Sequence, residues 1–184
     1  MMNHRTNMNS KAAEASRGFT FVETLVAISI LLMAIAAPLT LGSQGLAASR
    51  VARDQVIGTY LAQEAIEYAR NVRDTNTLAA QDWLEGLEDC IDSACMVDVP
   101  AGVIEPCSSD REATCDPLTF SEKTGFYGLP GGGSKWIDTK FTRSLLITVS
   151  DANPQEALVT ATITWKDGLA DRSLSVEESI LDWQ

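Results

Sequence analysis

Hydrophobic and polar residues follow four successive patterns along the chain. From Phe19 to Leu41 there are 23 residues and a single charge, Glu23. In helical form such a run reaches roughly 30 Å, the thickness of a bilayer's hydrocarbon core. From about Leu46 to Asp74 the apolar positions thin out and take a helical spacing. Ile57, Leu61, Ala65, Tyr68 and Val72 fall on one narrow arc, with Tyr60 beside it. Arg53, Glu67, Arg70 and Arg73 take the other faces. Residues 75–139 hold no period for long. Asn76, Gly86, Pro100, Gly102, Pro106, Pro117 and the run from Pro130 to Gly133 punctuate them.

Beyond residue 140 the period becomes two. Phe141, Leu145, Ile147 and Val149 alternate with Thr142, Ser144, Thr148 and Ser150. Ala157, Val159, Ala161, Ile163 and Trp165 alternate with Thr160, Thr162 and Thr164. Asp151-Ala152-Asn153-Pro154 supplies a turn between these strands, Asp167-Gly168 opens the next, and Leu174, Val176 and Ile180 mark a third strand. Short connections make this an antiparallel meander with one apolar face. That face and the stripe on residues 57–72 need each other, since neither is stable against water. The predicted fold is α+β: one long helix, a membrane half followed by an amphipathic half, packed across an antiparallel β-sheet.

Within the helix, Pro38 removes the bond its N–H would give to the Ala34 carbonyl, so a kink is predicted there. Gly42 and Gly45 each weaken the helix by about 1 kcal/mol relative to Ala. Five segments follow from the patterns: 1–18, polar and small; 19–45, apolar helix; 46–74, amphipathic helix; 75–139, irregular loop; 140–184, β-meander.

Charge and composition narrow the function. The net charge is −11 over 184 residues, and residues 1–18 carry +2, leaving −13 on the rest. No nucleic-acid partner is expected of so acidic a chain, because phosphate binding needs clustered Lys and Arg. Positive charge before the apolar run and an acidic domain after it orient the C-terminal part away from the cytoplasm. The only histidine, His4, lies in the first segment. Once that segment is removed, Ser-His and Cys-His nucleophilic pairs and His-based metal sites are excluded. No catalytic residue and no cofactor is predicted.

All four cysteines, Cys90, Cys95, Cys107 and Cys115, fall in the irregular segment. An even count in a translocated domain reads as two disulfides, and the spacing lacks the paired C-x-x-C of zinc ribbons. Three pairings are open, and the sequential one is preferred. Gly128-Leu129-Pro130-Gly131-Gly132-Gly133-Ser134-Lys135 imitates a phosphate loop, but its Ser and Lys are in the wrong order and a strand follows. The acids Glu85, Glu88, Asp89, Asp92 and Asp98 lack the alternating spacing of a calcium loop and read as a solvated face. Trp83 and Trp136 read as packing residues.

A carboxylate inside a spanning segment is expensive, so Glu23 calls for a function. The motif Gly18-Phe19-Thr20-Phe21-Val22-Glu23-Thr24-Leu25-Val26, preceded by Lys11 and Arg17, resembles the N-terminus of type IV prepilins and the related pseudopilins of type II secretion. The resemblance is specific over about residues 17–42 and further on is one of layout. It implies a leader ending at Gly18, cleavage between Gly18 and Phe19 by a prepilin peptidase, and N-methylation of Phe19. It also implies an assembly role for Glu23, and a segment around Pro38, Gly42 and Gly45 that unwinds in the filament. The implied partners are other copies or other pilins in a filament, an inner-membrane assembly platform and its motor ATPase, and the cytoplasmic membrane before extraction to the cell surface. The physical logic agrees. Cleavage would leave an ammonium on Phe19, and positions four apart share a helix face, so Glu23 can neutralise its own amine or a neighbour's.

The expected function is therefore a structural subunit, major or minor, of a type IV pilus-like filament. The nearest alternative is a pseudopilin of a secretion system. A secreted or anchored enzyme or binding domain would use the run as an ordinary signal, cut near Ala34-Ile35-Ala36 or Leu46-Ala47-Ala48. Glu23 within the apolar stretch argues against it.

Overall fold

The computed structural model describes residues 18–107, 115–130 and 135–182. All but Gly18 of the segment read as a leader, and residues 131–134, half of the phosphate-loop imitation, lie outside the described residues. One helix, α1 (Phe21–Leu78), is followed by seven strands: β1 (Cys95–Asp98), β2 (Val103–Pro106), β3 (Pro117–Ser121), β4 (Tyr127–Gly128), β5 (Trp136–Ser150), β6 (Asn153–Asp167) and β7 (Ala170–Leu181). A single 3₁₀ turn, Glu88–Cys90, precedes β1. The fold is α+β.

Helical backbone continues through Pro38, Gly42 and Gly45. Two compact units divide the chain at residue 47. In the first, every described side chain is exposed, and the apolar residues point to all sides of the helix. Such a helix is not the face of a water-soluble core. It is long and apolar enough to cross a membrane.

In the second unit the paired strands all run antiparallel. β5 is the spine. One of its edges pairs with β6 from Thr142↔Thr164 to Ser150↔Asn153, and β6 pairs with β7 from Glu156↔Leu181 to Asp167↔Ala170. Its other edge takes β3, which carries β4, and β1, which carries β2. Ala157, Val159, Ala161, Ile163 and Trp165 of β6 are all buried, with the threonines between them on the outer face. Leu61, Ala62, Ala65, Ile66 and Ala69 of α1 meet that inner face. Three alanines among these five let the helix lie close to the sheet, and each fully buried Leu or Ile stabilises by about 1.5–3 kcal/mol.

Three boundaries differ from the sequence reading. The amphipathic half of the helix reaches Leu78, past the predicted Asp74. The segment read as irregular holds β1 to β4, and β5 begins at Trp136. These strands are two to five residues long and depend on β5 for partners, so no local period announces them. In β1 all four residues are buried, which removes alternation altogether.

Candidate functional site

The N-terminal end of α1 is built by a side chain to which the sequence reading gave no role of its own. Thr20 Oγ1 accepts the Glu23 backbone N–H at 3.2 Å, and Thr20 O accepts the Thr24 N–H at 3.1 Å. Thr20 is thus the N-cap of α1 and Glu23 its third residue, the T-x-x-E spacing of a capping box. That signal was present in the sequence. It also places Glu23 in the first turn, where the helix dipole favours an anion.

No ion pair reaches the Glu23 carboxylate among the described residues. Here Phe19 follows Gly18 through a peptide bond, so its nitrogen is an amide and not an ammonium. Gly18 and Phe19 are exposed, and so are the apolar neighbours of Glu23 in sequence, Phe21, Val22, Leu25 and Val26. A carboxylate so placed in lipid or in a packed helix bundle needs a cation. Further along, Ser29, Thr40 and Ser43 turn their hydroxyls back onto the carbonyls of Leu25, Ala36 and Thr40. This hides their polarity from an apolar surrounding. A Cβ at Gly42 or Gly45 would meet nothing, so steric need within the chain does not explain either glycine.

In the second unit the helix is locked to the sheet by a buried cation. Arg143 is fully buried on the inward face of β5. Its Nη1 donates to Glu64 Oε2 at 2.6 Å and to the Leu61 carbonyl at 3.4 Å, and its Nη2 donates to the Val97 carbonyl at 2.5 Å. One guanidinium therefore ties α1, β5 and β1 together. Burial pushes its pKa down, and Glu64 opposes that shift. Its Nε finds no acceptor, which leaves a further cost in the site. At the far end of β7, Arg70 pairs with Glu178 and Arg73 donates to the Leu181 carbonyl at 2.6 Å. The hydrogen bond to Glu178 is the main influence raising Arg70. Lys140 pairs with Asp54 near the start of this part of the helix.

The cysteines pair sequentially, Cys90–Cys95 and Cys107–Cys115. The first bridge joins the 3₁₀ turn to β1 and is wholly buried. The second closes the segment after β2. Among the acids read as one solvated face, Asp98 departs: it is buried, accepting the Ala101 and Leu129 backbone N–H groups at 3.3 and 3.0 Å. It fastens the turn after β1 to the end of β4. Trp83 belongs to the core, whereas Trp136 is half-buried beside a surface cleft. Among the described residues no group of three or more His, Cys, Asp or Glu side chains is placed to hold a metal ion.

No protein-family model, no curated protein and no solved structure matches the chain. The geometry defines a protein with an N-terminal apolar helix suited to a membrane and a disulfide-braced α+β head suited to an oxidising, extracytoplasmic compartment.

Proposed function

We propose that the chain is a structural, non-enzymatic subunit of a type IV pilin-like filament. A prepilin peptidase would cut between Gly18 and Phe19, and subunits would then polymerise through the helix that begins there. The observation that carries the reading is Glu23: one unpaired carboxylate in the first turn of α1, four residues after Phe19, in a stretch up to Ala47 that is otherwise uncharged and whose described side chains are all exposed.

Hydrolysis of the Gly18–Phe19 bond releases an α-amine with an ordinary pKa of about 7.7–8.0, largely protonated near neutral pH. N-methylation leaves the amine basic. In the membrane the ammonium, just ahead of the Thr20 cap, and Glu23, in the first turn, neutralise each other. In a filament the same two charges pair between neighbouring helices, where any other axial stagger would leave a charge buried without a partner. Apolar contact supplies cohesion and the charge pair supplies register. The Thr20 cap holds the first turn in place while the amine changes partners. A helix-dipole role alone accounts for an anion in the first turn, but leaves Gly18 and the basic leader unexplained.

The test is Glu23→Ala against Glu23→Asp, read as surface fibres and as processed, membrane-resident subunit. Alanine is expected to abolish fibres while processing and folding persist, and aspartate to restore part of the assembly. Normal fibre yield from Glu23→Ala would defeat the reading.

A further inference from the structure

We propose that Thr20 is a positioning residue for cleavage: its side chain stops α1 short of the Gly18 carbonyl and so keeps the bond to be cut out of the helix. This deepens the filament reading and rests on its assignment of the Gly18–Phe19 bond.

An α-helix pairs each N–H with the carbonyl four residues earlier. If α1 began sooner, the Val22 N–H would take the Gly18 carbonyl and the Glu23 N–H the Phe19 carbonyl. Neither bond belongs to α1, which begins at Phe21. Its first main-chain bond runs from the Thr24 N–H to the Thr20 carbonyl at 3.1 Å, and the Glu23 N–H goes to Thr20 Oγ1 at 3.2 Å. The hydroxyl thus replaces the Phe19 carbonyl as acceptor. Residues 18–20 stay non-helical and exposed.

The pull to extend the helix is strong in apolar surroundings. The first N–H groups of a helix have no partner of their own, and away from water an unsatisfied N–H is costly. The nearest carbonyls that could serve them are those of Phe19 and Gly18. A first turn deprived of its cap is expected to recruit both.

Hydrolysis needs the Gly18 carbonyl free. Water adds to its carbon, and its oxygen takes up negative charge that donors of the peptidase have to meet. The C–N bond then breaks. The water oxygen stays on Gly18 as part of a carboxylate, and both water protons end on the Phe19 nitrogen as the ammonium. A carbonyl already bonded to Val22 inside a helical turn is closed to that sequence, whereas exposed, non-helical backbone is where proteolysis concentrates. A Cβ at Gly18 would meet nothing within 4 Å, so the bare backbone there suits an approach from outside the chain.

The test uses the full chain in lipid nanodiscs with a purified prepilin peptidase. Thr20→Val keeps the shape and loses the acceptor, while Thr20→Ser and Thr20→Asn keep an N-cap. Intact mass gives the rate of hydrolysis. Carbonyl-¹³C glycine with ¹⁵N phenylalanine selects the two Gly-Phe bonds, Gly18–Phe19 and Gly125–Phe126, and the second serves as internal reference. Thr20→Val is expected to lower kcat/KM about fivefold. It is also expected to move the Gly18 carbonyl signal in the helical direction with the Gly125 signal fixed, and serine and asparagine are expected to restore both readings. Hydrolysis of Thr20→Val at the unaltered rate, slow hydrolysis with the Gly18 signal unmoved, or no recovery with serine and asparagine would overturn the positioning role alone. An unaltered chain that the peptidase does not cut between Gly18 and Phe19 would overturn the filament reading and this role together.

Discussion

The Arg143 guanidinium donates to the Glu64 carboxylate at 2.6 Å from a fully buried position in β5. Glu64 stands on α1 at the edge of the core, with its side chain 31% exposed. The pair is asymmetric: the cation has no access to water and the anion does. Losing either partner therefore has different consequences.

Glu64→Ala leaves a buried charge uncompensated and is expected to destabilise the head by about 3–5 kcal/mol. Arg143→Met removes the charge and keeps much of the volume, while Glu64 can turn to solvent. That variant is expected to cost less than Glu64→Ala. Chemical denaturation of the full chain in mild detergent, followed by tryptophan fluorescence, gives the order. The opposite order would mean that the guanidinium's carbonyl contacts outweigh the ion pair.

Gly58 sets how closely the helix approaches β6. A Cβ built there lies 3.3 Å from the Trp165 ring. Gly58→Ala gains about 1 kcal/mol of helix propensity against a contact that has to give by a few tenths of an ångström, so little net change is expected. Gly58→Val is expected to destabilise by about 1–3 kcal/mol through overpacking. Thermal melts of the two variants check the difference, and equal midpoints would show that Trp165 moves aside freely.

The two disulfides differ in access. Cys90 and Cys95 are wholly buried, whereas Cys107 is only half-buried. A reductant under native conditions is expected to open Cys107–Cys115 first, as read by timed alkylation and peptide mass. Each short bridge constrains the unfolded chain by about 2 kcal/mol on loop-closure grounds. Cys90→Ala with Cys95→Ala is expected to cost at least that, since it also disturbs the core. Simultaneous reduction of both bridges would show that the head opens as a unit.

Long, regular signals in the sequence carried over to the structure. The alternation in β6 and the stripe from Ile57 to Val72 both face the core as the period demands. Tyr60, beside the stripe, does not: it is largely exposed. What sequence reasoning passed over was short or exceptional. Arg143 sits among Phe141, Leu145, Ile147 and Val149 on the inward face of β5, and an apolar pattern treats a charge at such a position as noise. Its position in the alternation was the available clue. Asp98 was grouped with nearby acids by proximity in sequence, although its partners, Ala101 and Leu129, are set by the fold. The four short strands owe their existence to β5, directly or through β1 and β3, and nothing local foretells that. The Thr20 cap was legible as T-x-x-E and was overshadowed by the charge of Glu23.

The central claim concerns what happens at Phe19, and it is tested most directly by intact mass and N-terminal sequencing of protein recovered from its native membrane or fibres. The account predicts a chain that begins at a methylated Phe19 and retains both disulfides. A chain that begins near Ala37, or one that keeps Met1, would contradict it.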